Sequence, residues 1–188
     1  MMMTERLGGL AGLMRLMPPP QVGGDHVDWR AVEEEWGTRF PSDYFEFVGL
    51  YGEGAVENYL SIASLSEGPP NRVFAPLADV LESTKSRWPA WPEPGGLICW
   101  GEDSSGDSVF WRTGPDPDAW TTVVWRRQQV PGWVEFDFGI VEFLLRTLVG
   151  DISPFSARID EARPDGTFRF LRWQQELELY QRDQDPWA

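Results

Sequence analysis

Between Trp29 and Tyr51, apolar side chains recur at helical spacing and are cut twice by residues that end helices. Such a stretch can form little other than two short helices joined by a turn. In the first, Trp29, Val32 and Trp36 fall on one face. Asp28 stands where its carboxylate can accept from the free N–H groups of the first turn. Gly37 supplies the left-handed stop. Phe40 and Pro41 set the entry to the second helix, predicted over about 42–51, with Ser42 as a candidate cap. Asp43 lies in its first turn, where the helix dipole favours a negative charge. Tyr44, Phe47, Val48 and Tyr51 form the face to be buried, and Gly52 and Gly54 end the helix and turn the chain.

Further along, the period changes. Tyr59, Leu60, Ile62 and Leu65 predict a strand, followed by a Gly68-Pro69-Pro70 loop. A short helix is predicted from Phe74 to Lys85, with Pro76 tolerated in its first turn. Trp88 to Gly96 is rich in proline and glycine and reads as a rigid loop. Strands are predicted at 97–100, 108–112 and 121–125, with a further short one around Trp133, Val134 and Phe136. The first two are joined by Gly101-Glu102-Asp103-Ser104-Ser105-Gly106-Asp107, turn formers that make the pair a hairpin. From Phe138 to Val149 the helical period returns, with Ile140, Phe143, Leu144 and Leu148 directed inward. A last helix is predicted over about 168–181, with Leu171, Leu177 and Tyr180 apolar.

Helix, helix, strand, helix, strands, helix, helix is the order of an α+β chain with a mostly antiparallel sheet packed with helices. At 188 residues a single domain is expected. The core should occupy residues 25–150, between a flexible or weakly helical N-terminal extension, 1–24, and a C-terminal extension, 151–188. The N-terminal stretch is mildly apolar, but Glu5, Arg15 and three glycines interrupt it and no small-residue cleavage site follows. It reads as a lead-in, not a signal peptide.

Charge narrows the partners. Thirty acidic residues against 16 basic ones leave a net charge of −14. Such a chain repels phosphate backbones and anionic membranes and draws a basic partner towards it. Solubility alone explains an acidic surface equally well. The single cysteine, Cys99, permits no intramolecular disulfide, which suits a reducing cytoplasm. No apolar run reaches the ~20 residues of a membrane helix.

Reactive chemistry finds little support. His26 is the sole histidine and Cys99 lies far along the chain, so a zinc site and a Cys–His nucleophile pair both lack partners. Neither a Gly-x-Ser-x-Gly elbow nor a phosphate-binding loop is present. The acidic turn Glu102, Asp103 and Asp107 lacks the spacing of a calcium loop. A carboxylate pair drawn from Glu33, Glu34, Glu35, Glu102 and Asp103 could in principle hydrolyse a glycoside, but sequence does not give their separation. No catalytic residue, metal or cofactor is therefore expected. Of the 11 tryptophans, Trp29, Trp36, Trp100, Trp111 and Trp125 lie on periodic elements and read as core. Trp88, Trp91, Trp120, Trp133 and Trp187 lie in loops, at strand ends or in the tail. Trp88 and Trp91 are candidate interface anchors.

The run Trp29-x-x-Val32-Glu33-x-x-Trp36-Gly37-x-x-Phe40-Pro41-x-Asp43-Tyr44-x-x-Phe47-x-x-x-Tyr51-Gly52-x-Gly54 resembles the opening signature of the SUKH superfamily. This group includes the fungal Smi/Knr cell-wall-synthesis regulators and many bacterial proteins. A second block agrees: Ile98, then Gly101-x-Asp103 and Gly106-Asp107, then Val109-Phe110-Trp111. The resemblance covers roughly 27–150 and implies a SUKH-like fold. It also implies a binding role, most often that of a bacterial immunity protein in a polymorphic toxin system, frequently against a nuclease. A regulatory adaptor is the alternative. The family carries no agreed catalytic residues, so none is transferred. An acidic face formed by Glu102, Asp103, Asp107, Asp116 and Asp118, with aromatic anchors Trp88 and Trp91, is the expected contact with a basic toxin domain.

Overall fold

The computed structural model describes residues 8–66, 68, 77–163 and 165–188. The predicted Pro69-Pro70 turn, the start of the helix at 74–76 and residues 1–7 lie outside the described residues.

The two aromatic helices form as their spacing dictates. In α2 (Trp29–Trp36), Asp28 accepts from the Ala31 N–H and Gly37 closes the helix at φ 69°. In α3 (Ser42–Tyr51), Tyr44, Phe47, Val48 and Tyr51 are buried. The buried Tyr44 and Tyr51 hydroxyls each find a carbonyl: Ala63 O and Met17 O, both at 2.6 Å.

Gly54 opens the sheet. A Cβ there would sit 2.2 Å from Leu171 O, so only glycine lets the two backbones come this close. The strand predicted at 59–65 is β2 (Leu60–Ile62), and it is preceded by β1 (Gly54–Val56), where a turn was expected; a turn in which Glu57 and Asn58 take positive φ joins them. Then come α4 (Leu77–Ser83), β3 (Leu97–Asp103), β4 (Ser108–Arg112), β5 (Thr121–Trp125), β6 (Trp133–Phe136), α5 (Ile140–Leu148), β7 (Phe170–Arg172) and α6 (Trp173–Gln181). The strands pair antiparallel throughout, in the order β6-β5-β4-β3-β2-β1-β7, and one isolated parallel bridge ties Ala90 to Leu97. The chain thus forms an α+β domain with a seven-stranded sheet, and β7 places the C-terminal segment at one edge.

The sheet is covered on both faces, but unequally. On the inner face Ile98, Trp100, Val109, Trp111 and Val124 join Trp36, Phe40, Tyr44, Phe47, Phe143 and Leu144 in the main core. On the outer face Leu97, Cys99, Phe110 and Val123 pack under Leu81 and Trp88. Double burial explains why β3, β4 and β5 read as unbroken apolar runs and not as an alternation.

Both extensions enter the fold. The N-terminal stretch forms α1 (Gly9–Leu16), with Leu13 and Met17 fully buried. The Phe168 N–H donates to Leu16 O at 2.6 Å. Phe155, Ile159, Phe168 and Phe170 complete the same core. The tail is held as well: the Arg169 guanidinium donates to Trp187 O and Ala188 O, and the Trp187 indole N–H donates to Glu176.

Candidate partner-binding surface

The strand-turn-strand that carries Glu102, Asp103 and Asp107 is built by its own carboxylates. Asp103 Oδ1 accepts from the N–H groups of Ser105 (2.9 Å) and Asp107 (2.8 Å), and Oδ2 accepts from the Ser105 hydroxyl. Burial raises the Asp103 carboxyl above its ordinary value, and the hydrogen bonds it accepts from Asp107 and Ser105 hold that rise in check. Asp107 is 0% exposed. Its Oδ1 accepts from the Arg127 N–H at 2.7 Å and its Oδ2 from the Ser156 N–H at 2.6 Å. Both residues, expected on an open acidic face, are internal acceptors, because backbone donors left over where strands end need partners.

Asp116 and Asp118 are exposed, in the short 3-10 turn between β4 and β5. Asp118 Oδ1 accepts from the Ser42 N–H at 2.6 Å, capping α3 from outside. That bond and one from the Ser42 hydroxyl hold its carboxyl below the usual range. This turn follows Arg112, whereas Asp107 precedes Ser108. The five residues of β4 therefore separate the two acidic groups by roughly 17 Å. The structure does not bring the five expected acidic residues onto one face.

The expected aromatic anchors are internal too. Trp88 is 8% exposed in the outer-face cluster, with the Arg87 guanidinium 4.2 Å over its ring. Trp91 is half-buried and its indole N–H donates to Trp36 O at 3.1 Å. That bond also puts the end of α2 beside the start of β3, while Glu102 and Asp103 close β3. Glu33, Glu34 and Glu35 therefore stand at the opposite end of the strand from Glu102 and Asp103. Cys99 is buried on the outer face, where burial pushes its thiol far up. His26 is exposed beside α2. Among the described residues, no three His, Cys, Asp or Glu side chains gather to hold a metal ion, and no helix is long and apolar enough to cross a membrane.

What the sequence reading did not find is a concavity. Asn58, Tyr59, Ser61, Glu102, Asp103, Ser104 and Trp173 line a cavity of about 360 Å³. Ser61 and Glu102 are register partners on the outer face, beyond the reach of the α4 cover. Burial pushes the Tyr59 hydroxyl up to about 12, and the charges of Asp103 and Asp107 push the same way. Trp173 comes from α6, more than 110 residues from Tyr59, and no local pattern links them. A second hollow of about 380 Å³ lies between α2 and the start of β1, with Asp25, His26, Asp28, Glu53 and Ser64 in its wall. Its floor is tied by Asp25, which pairs with Arg172 and accepts from the Glu53 N–H at 2.8 Å.

A family model described as SUKH_6, SMI1-KNR4 cell-wall, matches residues 27–139, more than half of the chain. The chain belongs to the SUKH superfamily. No curated protein and no solved structure matches it. The SUKH match begins beside Asp28, the cap of α2, and ends at Gly139, just before α5. It therefore spans β1 to β6, while α1, α5, β7 and α6 lie outside it. Within the matched stretch the SUKH signature residues are structural: Trp36, Phe40, Tyr44, Phe47 and Tyr51 are buried, and Asp103 and Asp107 fix turns.

Proposed function

We propose that this SUKH chain is a non-catalytic protein-binding module, an immunity-type protein that neutralises a basic toxin domain in the cytoplasm. A nuclease fits best, because a cleft that grips nucleic acid is basic. The observation that carries the reading is the net charge of −14 on a SUKH scaffold. Glu102, Asp116 and Asp118 are the contact candidates among the five acidic residues. Asp103 and Asp107 act through the fold, and Trp88 and Trp91 through packing.

The test is co-expression with a toxin domain encoded beside this gene. Restored growth is expected, together with a complex whose association slows about tenfold as NaCl rises from about 0.05 M to about 0.5 M. A toxin that kills regardless, or association indifferent to salt, overturns the reading. The words SMI1-KNR4 cell-wall in the matching family favour a second reading, a regulatory adaptor. A gene without a toxin neighbour, whose product is recovered with an enzyme of cell-wall synthesis, would carry it instead.

A further inference from the structure

The outer face of the sheet is covered at one end and open at the other. Towards β3–β6, α4 and Trp88 close it. Towards β1 and β2, the register partners Ser61 and Glu102 floor the cavity that Tyr59 and Trp173 wall. Trp173 begins α6, and Leu177 and Tyr180 follow it at helical spacing, within about 60° of one another around the axis. Leu177 is 57% and Tyr180 53% exposed. An exposed large apolar residue is ordinary when it stands singly. Two on one helix face, running into a cavity already walled by an aromatic ring, form a patch.

Carboxylates rim this patch. Glu102 and Asp103 lie in the cavity wall, Glu176 lies on α6, and Asp183 and Asp185 lie beyond it. Among the described residues, Arg182 at the helix end stands 3.9 Å from Glu178, and Arg172 just before the helix pairs with Asp25. Apolar centre and acidic rim together match a segment that carries aliphatic side chains on one side and Lys or Arg on the other. A second copy of this chain is disfavoured, because two molecules of charge −14 repel.

We infer that the groove between Tyr59 and Trp173, continued along the Leu177–Tyr180 face of α6, is the docking surface for a basic amphipathic segment of a partner protein. This rests on the proposed binding role and gives it a place. Trp173, Leu177 and Tyr180 supply the anchors. Glu102 and the carboxylates of α6 and its following turn set charge and orientation.

The probe is a synthetic amphipathic peptide of alternating leucine and lysine turns, titrated into the 15N-labelled full chain. A glutamate-for-lysine version serves as control. Shifts are expected at Ser61, Glu102, Leu177, Tyr180 and the Trp173 indole, with the control silent. The double variant Leu177→Ser/Tyr180→Ser should weaken peptide binding at least tenfold while leaving the melting temperature within about 2 °C. Glu34→Lys/Glu93→Lys, on exposed positions of α2 and of the loop before β3, should leave binding within about twofold. Shifts centred on the Asp25–Asp28 hollow or on Asp116 would overturn the proposal. So would a dimer that the double variant dissolves. The toxin assay separates the two claims. If the chain protects cells and the double variant protects equally, the surface is wrong and the function stands. If the chain protects nothing yet the peptide docks at α6, the surface stands and the immunity role falls.

Discussion

Aspartate side chains act here chiefly as acceptors for backbone N–H groups. Asp28 serves Ala31, Asp103 serves Ser105 and Asp107, Asp107 serves Arg127 and Ser156, and Asp118 serves Ser42. Each satisfies a donor that a turn or a helix start leaves over. Asp107 is the most demanding case, since it is fully buried and joins the end of β5 to the segment after α5. Asp107→Ala leaves two part-buried N–H groups without their carboxylate and should cost about 1–3 kcal/mol, read by urea denaturation. Asp107→Asn should recover only part of it, because an amide offers one acceptor and its NH₂ would face a second N–H. An alanine variant as stable as the parent would show that water serves both donors equally well.

Helices α3 and α5 are tied end to face by one side chain. Asp43 sits in the first turn of α3, and its Oδ2 accepts from the Val141 N–H of α5 at 3.1 Å. It therefore caps a helix almost a hundred residues away, while Asp118 caps its own. Burial raises the Asp43 carboxyl above its ordinary value, although the hydrogen bonds from Val141 and Tyr44 pull it down. Gly139 makes room: a Cβ there would lie 2.6 Å from Asp43 Oδ2. Gly139→Ala should push the carboxylate off the helix start and cost about 1–2 kcal/mol. In an Asp43→Ala background the same change should be close to neutral, because the cap is already gone. A double-mutant cycle by chemical denaturation measures this, and strictly additive losses would sever the proposed link.

At the scale of the whole molecule, both ends of the chain belong to one core. Leu13 and Met17 pack with Phe168 and Phe170, the Tyr51 hydroxyl donates to Met17 O, and Arg172 pairs with Asp25. The expected extensions at 1–24 and 151–188 are thus not appendages to a self-sufficient 25–150. Deleting residues 1–20 removes two fully buried side chains and exposes the core beneath α1. The loss should exceed about 4 kcal/mol and give dye-binding, loosely packed protein. A truncated chain that still unfolds cooperatively at the parental denaturant midpoint would show the N-terminal helix to be dispensable.

The sequence by itself determined the elements whose pattern is local. Trp29, Val32 and Trp36 specify α2 with its Asp28 cap and Gly37 stop; Tyr44 to Tyr51 specify α3; the apolar runs at 97, 108 and 121 specify β3, β4 and β5. Each depends on period and punctuation within a dozen residues, which is the range over which backbone conformation is encoded. From these came the α+β class and the SUKH resemblance. Only the tertiary structure decided that Gly54 pairs with Arg172 to add β7 and that α1 docks. It alone placed Asp107 inside, bonded to Ser156 across 49 residues, and left Leu177 and Tyr180 of α6 facing outward. An aspartate in a turn-forming string looks the same whether it meets water or a distant N–H, and an apolar stripe on a helix does not state which side the core lies. Those outcomes depend on which segments meet, and long-range packing alone fixes that.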